Sequence, residues 1–335
     1  MPINELAFGP EALHDPGKHA AVLGPTCTDD VRRRLCALGA HIRATVIGAR
    51  GIDMTVVEGA TAADTIYAVD RVADDVLVDW FHEQWPGVEL VTEGLDEPVV
   101  IGGEAEWTVI VDPIDGTRSF MYDKRPAWCL AAAAPPGGSL RDVVAAAMTE
   151  LPVTKQGAAD QLSAVRGGGL VAERTDLRDG RRSPLTVRPS SATDLEHGFA
   201  GLAKFFPPGK VALARLEEAL FERLGSRTVF DDEYLASGGQ LHELITGRDR
   251  FVADLRPYVA SGALACHPYD ICTALLLEEA GGVVTDPLGG PFDVPLDTTT
   301  PVAWAGYANP ALAARIGPVL AELVHELRAH PEGAQ

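Results

Sequence analysis

The chain has 335 residues and a formal net charge of −20, from 28 basic and 48 acidic side chains. Nucleic acid and anionic membranes attract basic surface, so neither is expected as a partner. An apolar share of 46% is ample for a core in one large or two closely packed units, and no run of 18 apolar residues is present to span a membrane.

The N-terminal stretch MPINELAFGPEALHDPGKHA lacks a basic segment followed by an apolar one, so no secretory leader is expected. Five cysteines without CxxC or zinc-like spacing fit a reduced, cytoplasmic compartment. Residues 1–27, rich in Gly, Pro and His, read as an irregular extension. Thr28 is a candidate N-cap for a first helix, with Val31, Leu35, Leu38, Ile42 and Val46 on one face. A second helix is predicted from about Ala63 to Trp85 and is stopped by Pro86-Gly87; it sets Asp70 and Asp74 one turn apart. Strand-like runs follow at 88–92, 107–111, 129–134 and 143–148. Residues 155–193, with a Gly167-Gly168-Gly169 turn and the basic run DLRDGRRSP, read as an exposed, hairpin-rich connection. Residues 28–195 therefore read as an α+β unit. From 196 to 335, helical patterns (211–224, 235–247, 268–280, 310–328) alternate with strand-like runs (227–231, 250–254, 283–286, 302–306), an α/β pattern.

The chemistry concentrates in TVIVDPIDGTRSF, residues 108–120. Carboxylates at a strand end suit a hard cation such as Mg²⁺, and Asp112 and Asp115 fit that role. Gly116-Thr117 would then offer backbone N–H groups to an anion at a helix start. A turn built from common turn residues is the competing reading. Glu93 at the end of a strand and Asp270 at the start of a predicted helix add two carboxylates at element ends, where sites are built. Phosphatases with a nucleophilic aspartate in Asp-x-Asp-Gly-Thr do not fit, because two residues separate these aspartates and no later GDxxxD motif is present.

DPIDGTRSF (112–120), with Glu93 upstream and EEAGGVVTDPLGGPFD (278–293) downstream, resembles the inositol monophosphatase superfamily of metal-dependent phosphatases, over residues 28 to 325. The resemblance implies a layered αβαβα sandwich and hydrolysis of a phosphomonoester by water, with two or three Mg²⁺ ions and no phosphoenzyme. It assigns Glu93, Asp112, the Ile114 carbonyl, Asp115 and Asp270 as metal ligands. Asp70 would pair with Thr117, Glu93 and Thr117 would orient the attacking water, and the Gly116 and Thr117 amides would hold the phosphate. A homodimer is also implied. Independently, four carboxylates facing a phosphate dianion would repel it, so cations must be present for activity.

The chain departs from the family's usual pattern at Gly94, where a second Glu is common, at Arg118-Ser119 and at Tyr269, where Trp is usual. None of these removes a metal ligand. On the substrate side Asp254 aligns with an acidic residue that contacts ring hydroxyls, with a strand-end role as the alternative. The segment 255–269 looks like an insertion that reshapes the pocket. Arg118, Lys124 and Arg125 are candidate contacts for a second anionic group, and Ser237 and Gly238 for the sugar side. His267 reads as a surface or supporting histidine. The expected activity is hydrolysis of a small polyol, sugar or nucleoside phosphate. Fructose 1,6-bisphosphate, histidinol phosphate and a 3′-phosphonucleotide are alternative substrates, and a non-catalytic binding protein is the remote alternative.

Overall fold

Two helices, α1 (Pro25–Gly48) and α2 (Ala68–Gln84), form one outer layer of the computed structural model, which describes residues 25–50, 54–60, 65–259 and 265–329. The predicted extension therefore falls, up to residue 24, outside the described residues. Val31, Leu35, Leu38, Ile42 and Val46 are all buried along one face of α1, as their spacing predicts. Arg33 on the opposite face, with Arg32 and Arg34 flanking the buried stripe, pairs like them one turn back with Asp29 and Asp30. The helix begins ahead of Thr28, which is buried inside it rather than capping it. A short hairpin, β1 (Val57–Ala60) and β2 (Thr65–Tyr67), leads into α2.

The central layer is a sheet made of β3 (Val88–Thr92), β4 (Val99–Ile101), β5 (Trp107–Asp115), β6 (Ala127–Ala134), β7 (Ala145–Leu151), β8 (Ala158–Val165), β9 (Leu170–Asp176) and β10 (Arg182–Pro184). Its order is β10-β9-β8-β7-β6-β5-β3-β4; β3 and β5 run parallel and the other neighbours antiparallel. Helix α3 (Thr117–Met121) follows β5 directly. The segment read as an exposed connection thus contributes β8, whose residues 159–164 are buried. Side chains alternate between two cores. Val109, Val111, Ala131 and Ala147 meet α1 and α2, while Ile110, Leu130, Ala132, Met148 and Leu162 face the second half of the chain. Burial on both faces explains the near-continuous apolar runs of β5 and β6.

The second half comprises β11 (Gly198–Leu202), α4 (Lys210–Leu224), β12 (Val229–Phe230), α5 (Ser237–Ile245), β13 (Asp249–Asp254), α6 (Ala274–Glu279), β14 (Val283–Thr285), β15 (Trp304–Tyr307) and α7 (Pro310–Ala329). The five strands form a second sheet in the order β12-β11-β13-β15-β14. Leu241, Leu244 and Ile245 of α5 and Leu275, Leu276 and Leu277 of α6 fill the space between the sheets. On the far side, Leu213, Leu216 and Leu220 of α4 meet Leu312, Ile316 and Leu320 of α7. Each such leucine contributes roughly 1.5–3 kcal/mol by leaving water. The layers run helix, sheet, helix, sheet, helix, the αβαβα order that the resemblance implies. Asp270 does not open a helix: residues 268–273 are turns, and α6 starts at Ala274.

Candidate active site

Asp112 and Asp115 are three apart on one strand, and an undisturbed strand would send them to opposite faces. The pairing with β6 removes the problem. Asp112 faces Leu130 and Asp115 faces Trp128, so three residues of β5 advance while β6 advances two. This one-residue bulge shifts the phase of the strand. Pro113 sits in the bulge, where a missing N–H does no harm to the ladder, and the Ile114 N–H donates instead to Asp112 Oδ1 at 3.0 Å. Gly116 then turns the chain with φ of 96°, a conformation that favours glycine; an added Cβ would stand 3.0 Å from that of Ala236.

Helix α2 delivers Asp70 to the same place. Its Oδ2 accepts the Tyr67 N–H at 2.8 Å, and its Oδ1 accepts the Thr117 hydroxyl at 2.8 Å. The Ile114 carbonyl also lies 2.8 Å from that hydroxyl, so the single Thr117 proton has two acceptors in reach.

The second half closes the site. The Gly238 N–H, at the start of α5, donates to Asp115 Oδ2 at 2.6 Å, and the His267 N–H donates to Asp270 Oδ2 at 2.6 Å. Carboxylate oxygens of Asp112, Asp115 and Asp270 lie within 4.8 Å of one another. Burial, with repulsion from Glu93, Asp115 and Asp270, pushes the Asp112 carboxyl well above the usual carboxylate range. Burial and repulsion from Asp270 do the same to Asp115, against the N–H groups of Gly238 and Ser237 that favour its charged form. Crowded, buried, all-oxygen donors are a poor arrangement for three anions and a good one for a hard divalent cation. The residues therefore fit the metal that the resemblance implies.

Glu93, Ile114, Gly116, Thr117 and Arg118 line the cleft over this cluster, together with Ser237 and Arg256. Several expectations for the substrate side change. Asp254 is wholly enclosed and does not line the cleft; its carboxylate is taken up by Arg256, bonded through Nε and Nη2. Gly238 holds Asp115 instead of facing the cleft. Lys124 is exposed away from the cleft, and Arg125 pairs with Asp232 and lies over the Tyr234 ring. Neither lines the cleft at the candidate phosphate site. His267 is buried at 4% exposure, lines the cleft and stacks on Tyr269 at 5.5 Å. Arg256, Phe205 and Phe206 are cleft residues outside the sequence expectations. The one sequence signal for Arg256 was a cation two residues after a strand-end aspartate.

The model of the inositol monophosphatase family matches residues 28–324. A relative from Salmonella typhimurium, described as Nus factor SuhB, is 29% identical over 232 residues, which cover 68% of this chain and 73% of that protein. An inositol monophosphatase of Dictyostelium discoideum is 25% identical over 244 residues, covering 71% and 78%. Among solved structures, a fructose-1,6-bisphosphatase of Leishmania major has the same fold, with a TM-score of 0.66 at 12% identity over 93% of this chain and 97% of that one. With the family model matched almost from end to end and a carboxylate cluster at its heart, the chain belongs to the inositol monophosphatase family of metal-dependent phosphatases.

Proposed function

We propose that the chain is a Mg²⁺-dependent phosphomonoesterase that hydrolyses a small polyol, sugar or nucleoside phosphate with water as nucleophile. The observation that carries this reading is the convergence of Asp112, Asp115 and Asp270 beside Gly116-Thr117. Glu93, Asp112, Asp115, Asp270 and the Ile114 carbonyl would hold two or three ions. Bound there, such ions lower the pKa of water and offset charge on the phosphate and the leaving oxygen. The chain's own groups do the rest. Asp70 accepts the Thr117 proton, which turns the lone pairs of Oγ1 toward the cleft. Thr117 and Glu93 orient the water, and Thr117 receives its proton while passing its own to Asp70. The water oxygen bonds to phosphorus, the phosphorus–alcohol bond breaks in line, and the alcohol departs with a proton from solvent. The Gly116 and Thr117 amides hold the phosphate, with Arg118 and Ser237 toward the leaving group.

A cytoplasmic homodimer is part of this reading. Its supports are the family resemblance, the unpaired cysteines and the absence, among the described residues, of any helix long and apolar enough to cross a membrane. The Salmonella likeness favours a second reading, a binding role independent of hydrolysis, such as the description Nus factor suggests for that relative.

The test is phosphate release from inositol, sugar, histidinol and nucleotide phosphates, with Mg²⁺ and again with EDTA, by the native chain and by Asp112→Asn. Release that needs Mg²⁺ and falls to background in the variant, with the fold intact by circular dichroism, is expected. Near-native turnover by Asp112→Asn would sink the assignment.

A further inference from the structure

A second cleft, of about 370 Å³, shares no lining residue with the candidate active site. Its volume falls among those of small-ligand sites, roughly 300–1,000 Å³. Helix α5 borders both places: Gly238 near its start holds Asp115, and His242, one turn on, lines the second cleft.

His242 is 4% exposed, and its ring lies 4.5 Å from that of Trp128 between centroids. Nδ1 is 3.4 Å from Glu243 Oε1, and because a carboxylate only accepts, Nδ1 carries the proton of the neutral ring. Nε2 then presents a lone pair. That atom is buried and has no partner among the described residues. Buried polar atoms are nearly always paired, so this one calls for a donor from outside the chain.

The charges of the lining balance. Arg125, Arg174 and Arg248 stand with Glu150, Asp160 and Glu243. Arg174 holds Asp160 through Nε and Nη2 at 2.7 and 2.8 Å, Arg248 reaches Glu243 through Nη1 at 2.7 Å, and Arg125 bonds Asp232 through Nη2. Each arginine thus keeps one Nη group with no partner among the described residues. Glu150, 8% exposed, already accepts from Gln156 Nε2 at 2.7 Å and from the Asp160 N–H at 2.8 Å. A bare anion would meet these carboxylates and a bare cation the guanidinium groups, whereas a molecule with both charges can set each against its opposite. Pro126, Trp128, Ala158 and Tyr234 supply apolar wall between them.

We infer that this second cleft binds a free amino acid with an apolar side chain, as its zwitterion. The arginine Nη groups take the carboxylate, His242 Nε2 accepts from the ammonium, and the side chain rests on the apolar wall. No proposed metal ligand takes part, so the site is independent of the phosphatase reading.

The experiment is calorimetric titration of the full chain, in EDTA so that no metal draws ligand to the active site, with L-phenylalanine, L-leucine and L-tryptophan. Each is matched by the acid without its amine (3-phenylpropanoate, 4-methylpentanoate, indole-3-propanoate) and by the amine without its carboxylate (phenethylamine, isopentylamine, tryptamine). At least one amino acid should bind, with both of its half-analogues tenfold or more weaker. Arg248→Gln, at a side chain 56% exposed, should weaken that binding about tenfold, the effect of one charge-assisted hydrogen bond. His242→Phe keeps a ring against Trp128 without the nitrogen and should lose about as much. Where His242→Phe does not fold, Arg248→Gln decides. Binding of none of the three, a half-analogue that binds as tightly as its amino acid, or a native Kd in either folded variant overturns the site.

Discussion

Replacing Gly238 by alanine asks how firmly the second half of the chain fixes the Asp115 carboxylate, one of the proposed metal ligands. The new Cβ would stand 2.7 Å from Asp115 Oδ2 and 2.7 Å from Leu130 Cδ2. Comfortable contacts between heavy atoms fall at about 3.5–4.0 Å, so roughly 1 Å must be found in a packed interior. Leu130 is fully buried between sheet and α5 and has nowhere to go. Either α5 backs away, stretching the Gly238 N–H bond to Asp115, or the carboxylate turns out of the cluster. Overpacking of this kind costs about 1–3 kcal/mol. Under the proposed reading, in which Asp115 holds the metal, disturbing the hydrogen bond that orients it weakens metal binding about 10- to 100-fold, the equivalent of about 1.4–2.7 kcal/mol. Urea unfolding in EDTA reads the first quantity, and a Mg²⁺ titration of phosphate release reads the second. A variant with a native urea midpoint and a Mg²⁺ half-saturation within twofold of the native value would refute the reasoning, because the methyl would then have found room that the geometry denies it.

Two further outcomes follow from groups outside the carboxylate cluster. Burial, then repulsion from Asp70, raises the Asp74 carboxyl to about 7. The folded chain thus keeps a proton that the unfolded chain loses near pH 4, and the stabilisation is full below about pH 4 and lost as pH rises through about 7. Asp74→Asn should therefore be more stable than the native chain at about pH 8 and indistinguishable near pH 4, as thermal unfolding in EDTA will show; a difference that ignores pH contradicts the assignment. Lys204, its side chain 10% exposed, bonds through Nζ to Glu217 at 3.0 Å and Asp231 at 2.8 Å. Lys204→Met leaves the Glu217 carboxylate, 13% exposed, without that cation and should cost about 1–3 kcal/mol in urea unfolding; an unchanged stability would show that water replaces the cation fully.

The carboxylate cluster was legible as a candidate site because it couples a chemistry-bearing set of residues to a place where the backbone must turn. The regular helices α1, α4 and α7 were legible from their apolar spacing. Strand β8 was not. Its sequence, AADQLSAV, has one β-branched residue, and its polar side chains look like surface. They are buried because partners far along the chain satisfy them: Arg174 grips Asp160, and Gln161 reaches Thr149 and the Cys36 carbonyl. The same limit applied at the substrate wall. Asp254 and Arg256 look alike as strand-end charges, and only the folded chain separates the enclosed carboxylate from the guanidinium in the cleft. Thr28 resembled a cap because its neighbours Asp29 and Asp30 suit a first turn, yet the helix runs on ahead of it.

The bulge at Asp112–Asp115 and the distant Asp270 together impose an order on biosynthesis. The N-terminal strands bring two carboxylates and the Thr117 hydroxyl together, but the third carboxylate of the cluster lies more than 150 residues later. A nascent chain emerging at about 5–20 residues per second therefore passes roughly 8–30 s with its cluster incomplete. Ribosome-held or truncated products that stop short of Asp270 carry the motif without the trio, so hydrolysis appears only after the C-terminal half has been made and has docked.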